Sequence, residues 1–392
     1  MTHYPYLIVG GGMTADAAAR AIREADPANA VGLISAEPHP PYARPPLSKG
    51  LWKGDPESGI WRGTETAGVD VRLDTRVTAI DAKRKTVTDE RGNAVTYGKL
   101  LLATGGTPRR LSMDTGQIIY YRTYDDYRRL RALANERLRF AVLGGGFIGT
   151  EIAAALQTAG REVVMLVPEA GLGARVFPAD LSHVLVGYYR EQGVDVRTGE
   201  GLAGLRQHGG KVVVKTTSGQ ELPVDVIVAG LGIQPNVDLA EQAGVRVDNG
   251  IVVDELLRTS VPDIFAAGDV ANFFNPALGT RMRVEHEDNA NTMGAMAGRS
   301  MAGRGTPYTH LPFFYSDLFA LGYEAVGELD PRLETVSDWK EPFREGVVYY
   351  VKGGRVRGVL LWNTWGQVDA ARALIAEPGP VRGESLKGRL PA

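Results

Sequence analysis

The 392-residue chain contains no cysteine, and that absence excludes several kinds of chemistry at once. Without thiols there is no disulfide framework, no thiolate metal site, no iron–sulfur cluster and no redox-active dithiol. Long hydrophobic runs are missing too. No stretch approaches the roughly 20 apolar residues that a membrane-spanning helix needs. The start MTHYPYLIVG enters a strand without a basic region or cleavage site, so a cytoplasmic protein is expected. Charge of one sign is also scarce. The 44 Lys and Arg against 46 Asp and Glu leave a formal net charge of -2. That balance supplies no broad positive field for a phosphate backbone and argues against nucleic acid as the main partner. What is present is a 44% hydrophobic, 23% charged composition. It is enough to bury a sizeable core over two or three domains at about 100–200 residues each. The 49 glycines sit in clusters after apolar strands and not at a fixed period, which suits phosphate-cradling turns and not a repeat.

Tyr6 to Val9 reads as a short buried strand running into Gly10-Gly-Gly12-Met-Thr-Ala15, then an alanine-rich helix ending before Pro27. In this G-x-G-x-x-A turn Gly10 permits the tight turn and Gly12 lets the backbone approach a pyrophosphate. Ala15 lets the helix lie close on the sheet, its N-terminal N–H groups facing the phosphates. A second strand from Ala30 to Ser35 is followed by Glu37, an acid placed to hold an adenosine ribose. The plan recurs. Phe140 to Leu143 leads into Gly144-Gly-Gly146-Phe-Ile-Gly149, a helix from Thr150 to Thr158, a strand from Glu162 to Val167 and the acid Glu169. A single G-x-G-x-x-G is weak, because a turn that binds nothing can carry it. Two copies, each after a strand, each opening a helix and each with an acid roughly 25 residues on, predict two dinucleotide sites.

Three further turns share the strand-then-glycine form: Leu100 to Gly106, Val226 to Gly232 and Ile264 to Asp269. Each alone is equally readable as an ordinary strand–helix connection. Asp269, at a strand end, is placed to accept a hydrogen bond from a sugar or ribityl hydroxyl.

The most specific pieces of sequence are Pro41-Tyr-Ala-Arg-Pro-Pro-Leu-Ser-Lys49, Ala103-Thr-Gly-Gly-Thr-Pro108, Gly144 to Glu151, Pro168-Glu169, Arg283-Val-Glu-His286, Gly322 to Gly327 and Leu361-Trp-Asn363. In these the chain resembles the FAD- and NAD(P)-dependent pyridine nucleotide oxidoreductases of the ferredoxin reductase and apoptosis-inducing factor type, from about Tyr6 to about Ile375. The resemblance implies an α/β fold with two Rossmann-like dinucleotide-binding domains, one for FAD and one for NAD, plus a C-terminal α+β domain. The expected limits are 1–113 and 239–310 for a discontinuous FAD domain, 114–238 for the NAD domain and 311–392 for the last. Independently of the resemblance, the C-terminal part changes character to alternating strands, Val347 to Val351 and Arg355 to Leu361, hinged at Gly353-Gly354. A helix from Gln367 to Glu377 and a Pro/Gly-rich tail follow.

Hydride transfer between nicotinamide and flavin needs no protein nucleophile, so the residues sought are those that position rings. The resemblance places Lys49 beside the flavin, where its ammonium favours negative charge on the reduced ring. It pairs Lys49 with Glu151, which also hydrogen-bonds the nicotinamide carboxamide; the plainer alternative for Glu151 is an acid answering a helix N-terminus. Phe147 matches an aromatic that covers or admits the nicotinamide, and would look the same as a core phenylalanine. Arg44 has the charge to pair with the FAD pyrophosphate. Glu285 and His286 open a helix to about Ala302, whose positive end would face the flavin's pyrimidine edge. His286 lacks a second histidine at ligand spacing, so no metal is expected. Thr14, Val77, Ala103 and Gly105 complete the implied FAD set, and Gly232 the nicotinamide set. The chain departs from the pattern twice. Tyr315 stands where the relatives usually carry tryptophan beside the flavin, and Glu37 lies one position after the expected ribose acid, at which this chain has Ala36.

Glu169 would repel a 2′-phosphate and so favours NADH over NADPH, although Arg175 six residues on can soften the choice. With no thiol, electrons must leave from the flavin itself, to a ferredoxin, a quinone, dioxygen or a dye. Arginines crowd the stretch from Arg109 to Arg139, among them Arg122, Arg128, Arg129, Arg131 and Arg137. They read either as a solvated face or as an attraction for an acidic ferredoxin. Two functions are carried: an NADH-dependent reductase of an external acceptor, or an NADH-responsive flavoprotein of slow turnover whose charge-transfer state controls dimerisation or partner binding. A homodimer is among the arrangements the resemblance allows. A flavin monooxygenase or amine oxidase fits poorly, because neither plan has the Pro-Pro-Leu-Ser-Lys49 stretch.

Overall fold

The computed structural model describes residues 2–113, 116, 118–136 and 138–390. The chain forms two compact units, each assembled from three segments: Met1–Arg44, Pro56–Thr107 and Gln234–Pro312 in the first, and Pro45–Asp55, Pro108–Ile233 and Phe313–Ala392 in the second.

The first unit is built on a seven-stranded sheet. Its first strand, Thr2–Val9, is longer than the apolar run Tyr6 to Val9, because Thr2, His3 and Tyr4 continue the parallel pairing with Ala94–Leu102. On its other edge Thr2–Val9 pairs in parallel with Val31–Ile34, and that strand with Asp70–Arg72. Leu7, Ile8, Leu33 and Leu100 to Leu102 are buried, as expected of parallel strands covered on both faces. The helix Met13–Ala25 follows the first strand, and its nine buried residues include the alanines that lie on the core. It packs against the helix Glu287–Met301. There Gly294 and Gly298 meet the first helix so closely that a Cβ at either would lie 2.5 Å from the Thr14 carbonyl oxygen or 2.4 Å from that of Ala18.

The second unit holds a five-stranded parallel sheet in the order Asp195–Thr198, Glu162–Val167, Arg139–Leu143, Val226–Ala229, Ile118–Tyr120. The helix after the second glycine turn, Phe147–Thr158, begins three residues earlier than the sequence suggests. A glycine at the N-cap position can adopt the extended backbone that starts the helix directly after it. The same unit contains a five-stranded antiparallel sheet, Phe313–Leu318, Leu321–Gly327, Arg355–Trp362, Glu345–Lys352 and Glu334–Glu341. Its interior is aromatic: Tyr323 and Trp362 stack at 5.8 Å and Phe177 meets both edge-on. The helix Val368–Ala376 covers this sheet. Among the described residues no helix is long and apolar enough to cross a membrane.

Candidate functional site

The two glycine fingerprints have matching geometry. Gly10 has φ +132° and Gly144 φ +102°, a region closed to most side chains. A Cβ on Gly10 would lie 2.1 Å from the Ala103 carbonyl oxygen, and one on Gly144 2.6 Å from that of Gly230. The strand-then-glycine turns at Ala103 and Gly230 are thus what each fingerprint turns against, a role beyond that of an ordinary strand–helix connection. Gly12 and Gly146, by contrast, face open space and N-cap their helices with extended backbone and no side-chain hydrogen bond. The helix Tyr124–Ala134 differs, since its first N–H groups are satisfied by a Thr123–Asp126 capping box. Helix-start N–H groups that no cap side chain engages, beside an open glycine, are what a pyrophosphate requires. Ala15 and Gly149 close the two turns: Ala15 is fully buried, and a Cβ on Gly149 would lie 2.1 Å from the Gly144 carbonyl oxygen.

Around the first fingerprint, Thr14 is buried against Gly268, whose added Cβ would approach its hydroxyl to 2.3 Å. Asp269 follows in the short turn Gly268–Val270, and Arg283 donates to its carbonyl oxygen (3.0 Å) and to Glu285 (2.7 Å). His286 is the N-cap of Glu287–Met301. Desolvation lowers its imidazole pKa to about 4, against the opposing pull of Asp269 and Asp288. Gly105, at φ +61°, accepts at its carbonyl from the Asn236 N–H, and Val77 is buried in the core at the start of the strand Val77–Asp81. Glu37 and Arg44 are brought together: the Arg44 guanidinium and the Tyr42 hydroxyl (2.6 Å) both donate to the Glu37 carboxylate. Burial works against the Arg44 charge, but Glu37, Tyr42 and Asp269 outweigh it and raise its pKa. The ribose acid and the pyrophosphate base of the sequence reading therefore form one cluster, held through Tyr42, which that reading left unassigned.

In the second unit, Lys49 donates to Glu151 at 2.7 Å, with the glutamate side chain 3% exposed and the lysine 13%. The lysine ammonium also lies 5.1 Å from the centre of the Tyr315 ring. Two serines join the same carboxylate, Ser48 at 2.5 Å and Ser316 at 2.6 Å, neither singled out from the sequence. The segment carrying Lys49 is tied down by its neighbour, since the Leu47 carbonyl accepts from the Tyr121 hydroxyl and from Trp52 Nε1 (2.9 Å). Phe147 packs on Phe314 with ring centres 5.1 Å apart. Glu169 is held by Arg175 through Nε (3.0 Å) and Nη2 (2.8 Å), and Arg175 is otherwise exposed. Gly232, at φ +77°, faces open space and accepts from the Arg109 N–H. Of the arginine group, Arg128 and Arg129 are exposed on the helix Tyr124–Ala134, while Arg131 lies over Trp52 at 5.1 Å; Arg137 is outside the described residues.

Comparison with known proteins joins these observations. Residues 4–294 match the model of the family "Pyridine nucleotide-disulphide oxidoreductase", and residues 297–342 and 337–377 match "Apoptosis-inducing factor, mitochondrion-associated, C-term". The chain is 36% identical over 389 residues to the ferredoxin–NAD(+) reductase component of the anthranilate 1,2-dioxygenase system of Burkholderia cepacia, covering 96% of this chain and 95% of that protein. It is 33% identical to the mitochondrial apoptosis-inducing factor 1 of Dictyostelium discoideum, covering 95% of this chain and 78% of that one. Among solved structures, putidaredoxin reductase in its covalent complex with putidaredoxin superposes with a TM-score of 0.92 at 30% identity, over 98% of this chain and 96% of that chain. The family implies FAD and a nicotinamide dinucleotide as cofactors, and the twin glycine turns with their open helix starts fit two such groups. The chain thus belongs to the pyridine nucleotide-disulphide oxidoreductase family, as an NAD(P)H-dependent flavoprotein oxidoreductase in which the absence of cysteine leaves no redox-active disulphide.

Proposed function

We propose that this protein takes hydride from NADH onto FAD and passes the electrons to an external acceptor of the ferredoxin class. When bound, FAD accepts two electrons as hydride and can release them singly. The observation that carries the proposal is the Lys49–Glu151 pair, whose glutamate lies in the second fingerprint helix of a chain that has no thiol. In this reading the first fingerprint, with Glu37, Arg44, Asp269, Glu285 and His286, serves FAD, and the second, with Glu169 and Gly232, serves the nicotinamide dinucleotide. In the same reading residues 311–392 are the C-terminal α+β part, nearly all of it within the compact unit that holds the second fingerprint. Lys49 favours charge on the flavin ring, Glu151 accepts from the carboxamide, and Phe147 and Tyr315 shape the access of rings. Glu169 favours NADH. Its partner Arg175 is 86% exposed, so that ion pair is weak and leaves the Glu169 charge to disfavour NADPH.

The match of residues 297–377 to the apoptosis-inducing factor C-terminal region supports a second reading, an NADH-responsive flavoprotein of slow turnover whose dimerisation follows its redox state. One experiment separates the two. The protein is mixed with NADH without oxygen, the bleaching of the flavin is timed, and ferredoxin, quinone or air is then added. Fast bleaching with fast reoxidation by ferredoxin is expected. A persistent long-wavelength band with an NADH-dependent change in size, read by light scattering, would instead support the switch. Equal efficiency with NADPH would overturn the assigned preference.

A further inference from the structure

The Glu151 carboxylate is more tightly held than an ion pair requires. Its Oε1 accepts from Lys49 Nζ at 2.7 Å and from Ser316 Oγ at 2.6 Å, and its Oε2 accepts from Ser48 Oγ at 2.5 Å. The three donors come from two distant places in the chain: Ser48 ends the turn Pro45–Ser48 and Lys49 follows it, while Ser316 lies in the strand Phe313–Leu318. Both serines are buried, Ser316 at 1% and Ser48 at 7% exposure. A carboxylate rotates about its last torsion in a broad two-fold well, so a lysine alone would fix its distance and leave its plane free. Hydroxyls on both oxygens fix the plane. Ser48 is itself fixed, because the Leu47 carbonyl beside it is clamped by Tyr121 and Trp52.

An ionised carboxylate offers about four acceptor positions. Among the described residues three are filled, two on Oε1 and one on Oε2. The remaining position is on Oε2. We propose that Ser48 and Ser316 are positioning residues that turn the Glu151 carboxylate so that this last acceptor position meets the carboxamide N–H of the nicotinamide. The inference rests on the proposed reduction of the flavin by NADH and adds to it a source of ring alignment and of discrimination. An open acceptor oriented in one direction rewards a ring substituent that donates a hydrogen bond and gives nothing to one that cannot. With either serine removed, the carboxylate plane is free and the alignment is lost in part.

The test uses the FAD-loaded protein, with NADH compared against its reduced 3-acetylpyridine analogue, whose acetyl group cannot donate. Rates of flavin bleaching are measured without oxygen for wild type, Ser48→Ala, Ser316→Ala, Ser48→Thr and Glu151→Ala, with FAD content checked for each. Each serine-to-alanine change is expected to slow bleaching by NADH about tenfold, less than the roughly hundredfold cost of a 1 Å misplacement because Lys49 still holds the carboxylate. It is also expected to leave the analogue rate nearly unchanged, so that the preference for NADH shrinks. Ser48→Thr, which keeps the hydroxyl, should retain most of the preference, and Glu151→Ala should abolish it. A merely structural role would slow both dinucleotides alike. If the alanine variants slow both equally, or neither, while Glu151→Ala abolishes the preference, the serines do not position the carboxylate and the proposed function stands. If Glu151→Ala itself bleaches as fast as wild type with an unchanged preference, the assignment of Glu151 fails and this inference fails with it.

Discussion

Lys49 and Glu151 are each nearly out of water, and a charge in that setting is tolerable only with its partner. Lys49→Ala leaves the Glu151 carboxylate with two serine donors and no counter-charge. We expect a loss of about 2 kcal/mol in denaturant unfolding, below the 3–5 kcal/mol of a fully uncompensated buried charge because the hydroxyls remain. Hydride transfer from NADH should slow as well; an unchanged bleaching rate would remove Lys49 from the site. His286 makes a prediction about pH. Its folded pKa of about 4 lies below the ordinary 6.5, so the unfolded chain takes up a proton first as the solution is acidified. Above pH 6.5 both states are neutral and the residue contributes no slope. Between pH 6.5 and pH 4 stability falls as pH falls, by at most about 1.4 kcal/mol per pH unit for one proton. His286→Asn should flatten that part of the unfolding profile, and a slope identical to wild type would show that the ring titrates normally.

The elements that position the fingerprints depend on small residues where helices meet. The helix Met13–Ala25 carries the first glycine turn, and the helix Glu287–Met301 approaches it through Gly294 and Gly298. In a free helix, glycine to alanine gains about 1 kcal/mol of propensity. At Gly298 the new methyl would lie 2.4 Å from the Ala18 carbonyl oxygen and 3.0 Å from the Ala21 Cβ, so the helices must separate. Overpacking of this kind costs about 1–3 kcal/mol. Gly298→Ala is therefore expected to destabilise despite the better propensity and to weaken FAD retention, measured by denaturant unfolding and by flavin released on gel filtration. A more stable variant with full FAD content would mean that the helix contact relaxes freely.

For the molecule as a whole, a net charge of -2 conceals local asymmetry, with Arg128 and Arg129 exposed together on the helix Tyr124–Ala134. An acidic ferredoxin would feel that field at long range only when salt is low, the screening length falling from about 30 Å at 0.01 M to about 8 Å at 0.15 M. Reduction of such a ferredoxin should slow over that range while bleaching by NADH changes little. Equal salt dependence of both steps would make these arginines a solvated face.

Much of this protein is local in origin and was legible for that reason. Strand, glycine turn, helix and a following acid succeed one another within a few tens of residues, so both strand–turn–helix plans could be read from spacing, and the lack of cysteine removed thiol chemistry without any structure. Small shifts at element ends, such as the helix start at Phe147, reflect caps that composition does not mark. What only the tertiary structure decided are contacts between distant residues. Ser48 and Ser316 meet Glu151 across separations of 103 and 165 residues, and no pattern in the intervening chain records that approach. Gly10 faces Ala103, and Gly144 faces Gly230, because parallel strands far apart in sequence end side by side. Glu37 and Arg44 are seven residues apart, yet their pairing through Tyr42 also appears only once the loop between them is folded. Local chain stiffness and hydrogen bonding write the first kind of feature into sequence; the second arises from topology, which brings buried polar groups together wherever each needs a partner.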